Sequence, residues 1–343
     1  MVVFICLYFA VYFLPVQYLY KRQIASMRLL TAFFRLIRWP NLLFIALTQL
    51  LFYYCIIVPY LPPQYFLLQD KLTAPLLYLL VAASVLIAAA GYIINDYFDI
   101  NIDQVNKPGK MVVEKIISRR WAILLHFIIT TVGVAISLYV SFKTNFIIVF
   151  ANVACTLLLW VYSTTFKKKL LSGNIIISAL TAWTVMVLYF ATNNTYIIMA
   201  NLHTDIMDAM KRVFKFASLY AGFAFIISLI REVVKDIEDM EGDSRYNCKT
   251  MPIVWGVPAA KVFVGVWLVV LIAGITLVQL YVLHSGWWWS ALYSLVLLII
   301  PLIWLLWKFY KAQSVAEHHA ISNHLKMIML SGILSLLVLR LYI

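Results

Sequence analysis

Long apolar runs alternate with short polar stretches along almost the whole chain. A helix of about 17 to 25 apolar residues crosses roughly 30 Å of hydrocarbon, so each such run predicts a membrane-spanning helix. Nine runs qualify, with approximate cores at 41–58, 74–95, 121–142, 145–162, 174–192, 215–231, 260–284, 287–307 and 326–343. The pattern therefore predicts an all-α, polytopic membrane protein with nine transmembrane helices.

Composition supports this fold class, because 64% of the 343 residues are apolar and only 12% are charged. Residues 1–20 are also apolar, but no basic segment precedes them and no small-residue cleavage site follows, which argues against a cleaved signal peptide. Met27 opens a stretch typical of a cytoplasmic start. We expect residues 1–26 to be an extension of uncertain role and residues 27–343 to form a single transmembrane domain.

The net charge of +13 describes membrane topology rather than nucleic-acid binding, which we do not expect. Nine alternating helices place 21 of the 27 lysines and arginines on the side that carries the N-terminal stretch and the even-numbered loops. Lysine and arginine collect in cytoplasmic loops. The sequence thus predicts an integral protein of the cytoplasmic or an equivalent inner membrane, with that side facing the cytoplasm.

Acidic residues are concentrated at the cytoplasmic ends of the second and sixth predicted helices. Nine of the 14 lie in two stretches, NDYFDINID and REVVKDIEDMEGD. Both stretches place aspartates at i, i+3 and i+7, positions that share one helix face. These six residues are Asp96, Asp99, Asp103, Asp236, Asp239 and Asp243.

Like charges at this spacing repel one another, and an unpaired charge near hydrocarbon costs about 3 kcal/mol, so a cation should compensate. Magnesium fits, because it takes one or two carboxylates and leaves its other positions to water and substrate phosphate. Two acidic helices would thus hold Mg²⁺ and a lipid diphosphate. Basic side chains that could meet the remaining phosphate oxygens lie nearby. They are Lys107, Lys110, Lys167, Lys168, Arg231 and Lys235.

Two other interpretations of the acidic stretches remain. A solvated face would show scattered ion pairs rather than one spacing repeated on two helices. A cation transporter also uses intramembrane carboxylates, but transporters usually place them near the bilayer midplane on broken helices. The position at helix ends favours an enzyme acting on an amphiphile.

Three motifs together resemble those of the UbiA superfamily of intramembrane prenyltransferases, over roughly residues 28–343. They are NDYFDINIDQVNKP after the second helix, VYSTTFKK with Gly173 and Asn174 after the fourth, and REVVKDIEDMEGD with KTMPIVWG after the sixth. The resemblance implies a nine-helix bundle whose cavity opens to lipid. It also implies Mg²⁺-dependent transfer of a prenyl group from an isoprenyl diphosphate to a lipophilic acceptor.

The resemblance also implies roles for individual residues. Asp96, Asp99, Tyr162 and Lys167 would be catalytic, and Tyr162, Ser163 and Lys167 would face the diphosphate or the allylic carbon. Asn95 and the three aspartates of the first motif would be metal ligands, and the three aspartates of the second motif would be the other metal ligands. Arg38 and Asn41 would contact the headgroup. Tyr97, Phe98 and Tyr162 are candidates for shielding an allylic cation.

The second motif looks like that of the family's digeranylgeranylglyceryl phosphate synthase branch, which joins a prenyl chain to a glycerol phosphate lipid by an ether bond. We therefore expect a geranylgeranyl donor and a geranylgeranylglyceryl phosphate acceptor. Prenylation of a quinone precursor such as 4-hydroxybenzoate or dihydroxynaphthoate is the alternative, because the same metal site serves several acceptors.

Cysteine and histidine give no sign of another metal site. The four cysteines, Cys6, Cys55, Cys155 and Cys248, show neither disulfide nor zinc spacing. His318, His319 and His324 are predicted to lie in the last cytoplasmic loop, solvated rather than bound to metal.

Overall fold

Long helices make up most of the described part of the protein. The computed structural model describes residues 27–61, 72–109, 111–193 and 204–343. Within these ranges nine helices are long and apolar enough to cross a membrane, which confirms the prediction. They are α1 Trp39–Tyr60, α2 Ala74–Phe98, α3 Arg119–Lys143, α4 Ile147–Thr164, α5 Ser172–Thr192, α6 Asp205–Glu238, α7 Gly256–His284, α8 Trp288–Lys311 and α9 Val315–Leu339.

The outward faces of these helices are apolar. Phe150 on α4 is 73% exposed, and Tyr281 on α7 is 78% exposed. Exposed apolar surface on this scale is unfavourable in water but suits contact with lipid. Inside the bundle α2 packs along α3, and α6 packs along α5 and α9. The exposed apolar faces therefore surround an interior in which polar side chains are held by neighbouring helices.

Two helices are longer than predicted. The sixth extends from Asp205 to Glu238, beyond the expected core of 215–231. The ninth begins at Val315 rather than near residue 326, so the expectation of a loop containing the three histidines was wrong. Ser314 caps this helix: its hydroxyl accepts a hydrogen bond from the N–H of Glu317, whose carboxylate accepts one from the N–H of Ser314.

The three histidines of this helix each contact a different partner. Nδ1 of His318 and His324 lies within hydrogen-bonding distance of the carbonyls of Ser314 and Ala320, whereas Nδ1 of His319 lies 2.8 Å from Glu238. They do not share a site.

The ends of α2 and α6 have the same local geometry. Each long helix stops one residue before an aspartate and continues as a short helix, Ile100–Asn106 after α2 and Met240–Arg245 after α6. Asp99 has φ −89° and ψ −1°, and Asp239 has φ −94° and ψ 4°. This bridge region of φ/ψ space is sparsely populated and is frequent at active sites. The central aspartates of both motifs thus occupy equivalent bends.

Candidate active site

A cavity of about 690 Å³ lies inside the bundle, and every long helix except α3 contributes residues to its lining, which extends from Arg35 to Leu339 in the sequence. The residues of α6 that line the cavity recur every three or four positions, from Phe216 to Asp239 just after the helix end, and form a stripe along the helix. At 1.5 Å per residue this stripe is roughly 35 Å long, about the thickness of a bilayer core. The stripe is apolar from Phe216 to Ile227 and charged from Arg231 onward. The cavity therefore has one polar end and a long apolar body.

All six aspartates of the two motifs line the polar end of this cavity. Asp99 and Asp243 are buried, with 5% and 8% of their surface exposed. The bends at the ends of α2 and α6 are what bring the two motifs together: the short helices that follow them pack against each other. The shared i, i+3, i+7 spacing thus places both sets of carboxylates in one chamber.

Three basic side chains reach into this chamber and pair with aspartates. Arg38 donates to Oδ1 of Asp96 at 2.7 Å, and Nζ of Lys107 lies 2.7 Å from Oδ2 of Asp239. Lys167 pairs with Asp99. Each of these basic residues lies on a different segment from its partner. The three pairs therefore connect the start of α1, the loop after the first motif and the turn after α4 to the acidic centre.

Two amides complete the connections. The Nδ2 of Asn106 donates to the carbonyl of Asp239 at 2.9 Å, and its Oδ1 accepts from the N–H of Gly242 at 2.8 Å. The Nδ2 of Asn174 donates to Oδ2 of Asp236 at 2.8 Å. Asn106 thus fixes one acidic motif directly against the other.

The crowding of carboxylates changes their proton affinity. Burial raises the pKa of Asp103 to about 6, and the nearby charges of Asp99 and Asp96 add to the effect. Burial likewise raises the pKa of Asp243 to about 6, although Lys167 opposes the rise. Burial alone would lower the pKa of the Lys167 ammonium, but the Asp99 carboxylate raises it above its ordinary value. The chamber therefore has excess negative charge that a cation would stabilise.

The donor set fits Mg²⁺. Asn95 donates through Nδ2 to Asp99, whereas its buried Oδ1 has no hydrogen-bond partner and is free to act as an oxygen ligand. Within the described ranges, no three carboxylate, histidine or cysteine side chains converge into a closed metal cage. Mg²⁺ does not require such a cage, because it binds through one or two carboxylates and completes its shell with water and phosphate.

Some of the other site residues predicted from the sequence line the cavity, and others do not. Tyr162, Asn41, Arg231 and Lys235 line the cavity. Ser163 and Lys168 do not: the Ser163 hydroxyl donates to the carbonyl of Leu159, and the 3₁₀ turn Phe166–Lys168 carries Lys168 away from the cavity.

Of the three aromatic candidates, only Tyr162 faces the cavity. The ring of Tyr97 lies beside the guanidinium of Arg119, and Phe98 packs edge-on against Trp160. Lys110 and residues 1–26 lie outside the described residues.

Sequence reasoning missed two residues of the site. Asn106 carries no charge that would mark it in the sequence. Its position at the end of the first short helix is what lets it bridge to the second motif. Lys326 lines the cavity from α9, about three turns inside a helix whose predicted core only begins at this residue. The pattern Ser314-x-x-Glu317 is the signal that would have placed Lys326 inside a helix.

The chain matches known proteins over most of its length. The model of the UbiA prenyltransferase family matches residues 56–330. A digeranylgeranylglyceryl phosphate synthase of Methanosphaera stadtmanae is 26% identical over 248 residues, which are 72% of this chain and 81% of that protein. The protein of the same name from Methanothermobacter thermautotrophicus is 33% identical over 217 residues, which are 63% of this chain and 67% of that protein.

A solved structure shares the fold at low sequence identity. It is that of a UbiA homologue from Archaeoglobus fulgidus bound to GPP and Mg²⁺, with a TM-score of 0.54 and 13% identity, covering 89% of this chain and 99% of that one.

Proposed function

Since the chain belongs to the UbiA prenyltransferase family, we propose that it transfers a prenyl group, expected to be geranylgeranyl, from its diphosphate to a glycerol phosphate lipid. One observation carries this proposal: both aspartate motifs and their basic partners meet at the polar end of a cavity whose apolar body extends along α6. Such a cavity suits an amphiphile with a diphosphate head and a long hydrocarbon chain.

The relatives support the choice of acceptor and metal. Both synthases described above are named for a glycerol phosphate ether lipid. The Archaeoglobus fulgidus homologue was solved with an isoprenyl diphosphate and Mg²⁺. The oxygen ligands of this chain, including the unpartnered Oδ1 of Asn95, suit the same metal.

We assign the six aspartates and Asn95 to holding Mg²⁺, and Lys107 and Lys167 to holding the diphosphate. When bound, the metal supplies Lewis-acid stabilisation of the negative charge that develops on the diphosphate. Lys107 and Lys167 now neutralise Asp239 and Asp99, and in the complex their ammonium groups would contact phosphate oxygens instead. Arg38, paired with Asp96, would move in the same way.

The reaction exchanges one carbon–oxygen bond for another. The bond between the allylic carbon and the diphosphate breaks, and the diphosphate leaves with the electron pair. The acceptor hydroxyl oxygen forms the new ether bond to that carbon, and its proton passes to a chamber carboxylate or to the released diphosphate. Tyr162 faces the cavity beside the motifs, where its ring stabilises the positive carbon and excludes water.

We also propose that the polar end faces the cytoplasm and that residues 27–343 act as one domain. The excess of lysine and arginine on that side supports the orientation, and a single cavity lined from Arg35 to Leu339 supports the domain. Maleimide labelling of a Tyr246→Cys variant in a background without native cysteines, in sealed right-side-out vesicles, tests the side. Labelling only after the membrane is opened agrees with the proposal, and labelling of intact vesicles contradicts it.

The direct test uses purified protein in lipid nanodiscs with labelled geranylgeranyl diphosphate and Mg²⁺. Geranylgeranylglyceryl phosphate and 4-hydroxybenzoate are offered separately, beside an Asp96→Ala control. We expect an ether product that the control fails to form. A ring-prenylated product without ether product would instead assign quinone precursor synthesis. Cation flux through proteoliposomes, together with no release of diphosphate from geranylgeranyl diphosphate whichever acceptor is supplied, would remove the enzyme interpretation.

A further inference from the structure

Besides Arg35 and Arg38, five basic residues line the cavity in two groups, and the aspartate motifs provide partners for only one of the groups. Lys107 and Lys167 each pair with an aspartate of a motif. Arg231 and Lys235 on α6 and Lys326 on α9 make up the other group, which we call the inner basic cluster. All three line the cavity. Along α6, Lys235 directly precedes Asp236, and Arg231 lies about one turn before Lys235. Both residues therefore lie on the side of the motifs that faces the apolar body.

The position of Lys326 within the membrane is the first sign of a ligand. It follows Val315, the first residue of α9, by 11 positions, which places it roughly 16 Å along the helix. Its charge lies within interaction range of Arg231, Lys235 and Arg38. Among the described residues no carboxylate lies within 4.0 Å of its ammonium, in contrast to Arg231 and Lys235. A lysine inside a membrane bundle is rare and marks a functional site.

Arg231 provides a second, independent sign. One of its terminal nitrogens donates to Glu232 at 2.8 Å, but its Nε is buried and has no hydrogen-bond partner. A buried donor without an acceptor is unfavourable, because it has lost its hydrogen bond to water and gained none in the protein. The guanidinium therefore presents an unused donor that an anionic oxygen would satisfy.

The charge balance of the cluster points the same way. Glu232 is the shared carboxylate, 2.8 Å from Arg231 and 3.5 Å from Lys235. Arg231 and Lys235 thus share one carboxylate, and Lys326 adds a third positive charge with no paired carboxylate in the described ranges, so the cluster carries a net positive charge. A bound dianion would neutralise it. Mg²⁺, Lys107 and Lys167 would already match the charge of the diphosphate, so the inner basic cluster suits a second anionic group.

We infer that Arg231, Lys235 and Lys326 form a subsite for the phosphomonoester of the acceptor lipid. This inference rests on the proposed function and deepens it, because it explains how the cavity selects a glycerol phosphate. A guanidinium and two ammonium groups match a dianionic phosphate in charge and in donor number. The location next to the aspartates brings the glyceryl hydroxyl close to the allylic carbon.

The kinetic test compares Lys326→Met with Lys326→Arg and with Lys308→Met, a control on α8 whose side chain lies outside the cavity. We expect Lys326→Met to raise the KM for geranylgeranylglyceryl phosphate at least about tenfold, as loss of a charged hydrogen bond does. The KM for geranylgeranyl diphosphate should stay within about twofold. Lys326→Arg should recover most of the loss, and Lys308→Met should match the parent.

The same variants are assayed with the uncharged acceptor geranylgeranylglycerol. The parent should prefer the phosphorylated acceptor, and Lys326→Met should lose that preference. Equal effects on both acceptors would overturn the subsite, because they would indicate a structural role. A raised KM for geranylgeranyl diphosphate alone would overturn it too, since Lys326 would then bind the donor.

A binding measurement separates this inference from the acceptor proposal. Dodecyl phosphate is titrated into the full-length protein in EDTA, with dodecanol as the uncharged control and dodecanoate as the carboxylate competitor. Thermal stabilisation of the parent by dodecyl phosphate, lost in Lys326→Met, supports the subsite even where no ether lipid is formed. No stabilisation of the parent, or stronger stabilisation by dodecanoate, overturns it.

Discussion

The backbone N–H of Gly242 donates to Oδ1 of Asn106 at 2.8 Å, which joins the second acidic motif to the first. A methyl group on Gly242 would lie 2.5 Å from that oxygen, closer than any unstrained contact. The amide of Asn106, which bridges the two short helices carrying Asp103 and Asp243, therefore occupies the space that a side chain at position 242 would need.

A Gly242→Ala substitution should separate the motifs and lower kcat. Displacement of about 1 Å at a catalytic site costs on the order of 100-fold, so we expect a loss of 10- to 100-fold in kcat. Radiolabelled prenyl transfer in nanodiscs measures it. Gly222→Ala on α6 is the matched control, because a methyl group there meets nothing within 4 Å. Parent-like activity of Gly242→Ala would show that the motifs tolerate separation.

Two adjacent lysines provide a matched test of the diphosphate site. Lys167 pairs with Asp99 inside the cavity, whereas Lys168 lies outside it. Lys167→Met should reduce kcat/KM for geranylgeranyl diphosphate by about 100-fold, because a charged contact to the leaving group is lost. Lys168→Met should change it by less than about threefold. Equal losses in both variants would point to the local positive charge rather than to a specific contact.

The repeated aspartate spacing predicts that the two motifs belong together, because few acidic residues occur and both sets fall at the ends of apolar runs, and in the structure all six aspartates line the candidate site. That inference needed only helix periodicity. The ion pair between Arg38 and Asp96 could not be predicted in the same way, since it depends on how α1 enters the bundle. Arg38 adopts φ 51°, a left-handed conformation that no local pattern indicated.

Lys326 illustrates a different limit of prediction from sequence, that of hydropathy. Hydropathy averages over a window, so the polar first half of α9 was assigned to a loop. In the structure that half is helical, and its buried residues include His318, Ser322 and Leu325. His318 and Ser322 face the bundle interior, where packing against neighbouring helices rather than hydropathy decides their position. Ser163 lies within α4, where its hydroxyl donates to the Leu159 carbonyl, and Lys168 lies in the turn after α4, so proximity to a motif does not determine which side chains face the cavity.

Asn95 should set the metal requirement of the enzyme. Its Oδ1 is buried without a partner, and its Nδ2 holds Asp99 in place. Asn95→Ala removes both, so we expect the Mg²⁺ concentration for half-maximal rate to rise about 10- to 100-fold. Rate measurements across a Mg²⁺ series test this. Asn323→Ala, on the exposed face of α9, should leave the requirement unchanged. An unchanged requirement in Asn95→Ala would remove Asn95 from the ligand set.

Removal of divalent metal should abolish transfer and also lower thermal stability. EDTA leaves the buried carboxylates of Asp103 and Asp243 close to those of the other aspartates, and a bound cation would relieve that repulsion. Added Mg²⁺ at about 100 times its dissociation constant should stabilise the fold by about 2.7 kcal/mol, seen as a higher melting temperature. The double variant Asp96→Asn, Asp236→Asn should lose most of this shift, because it removes one carboxylate from each motif. Full prenyl transfer in EDTA would instead show that Arg38, Lys107 and Lys167 alone stabilise the leaving diphosphate.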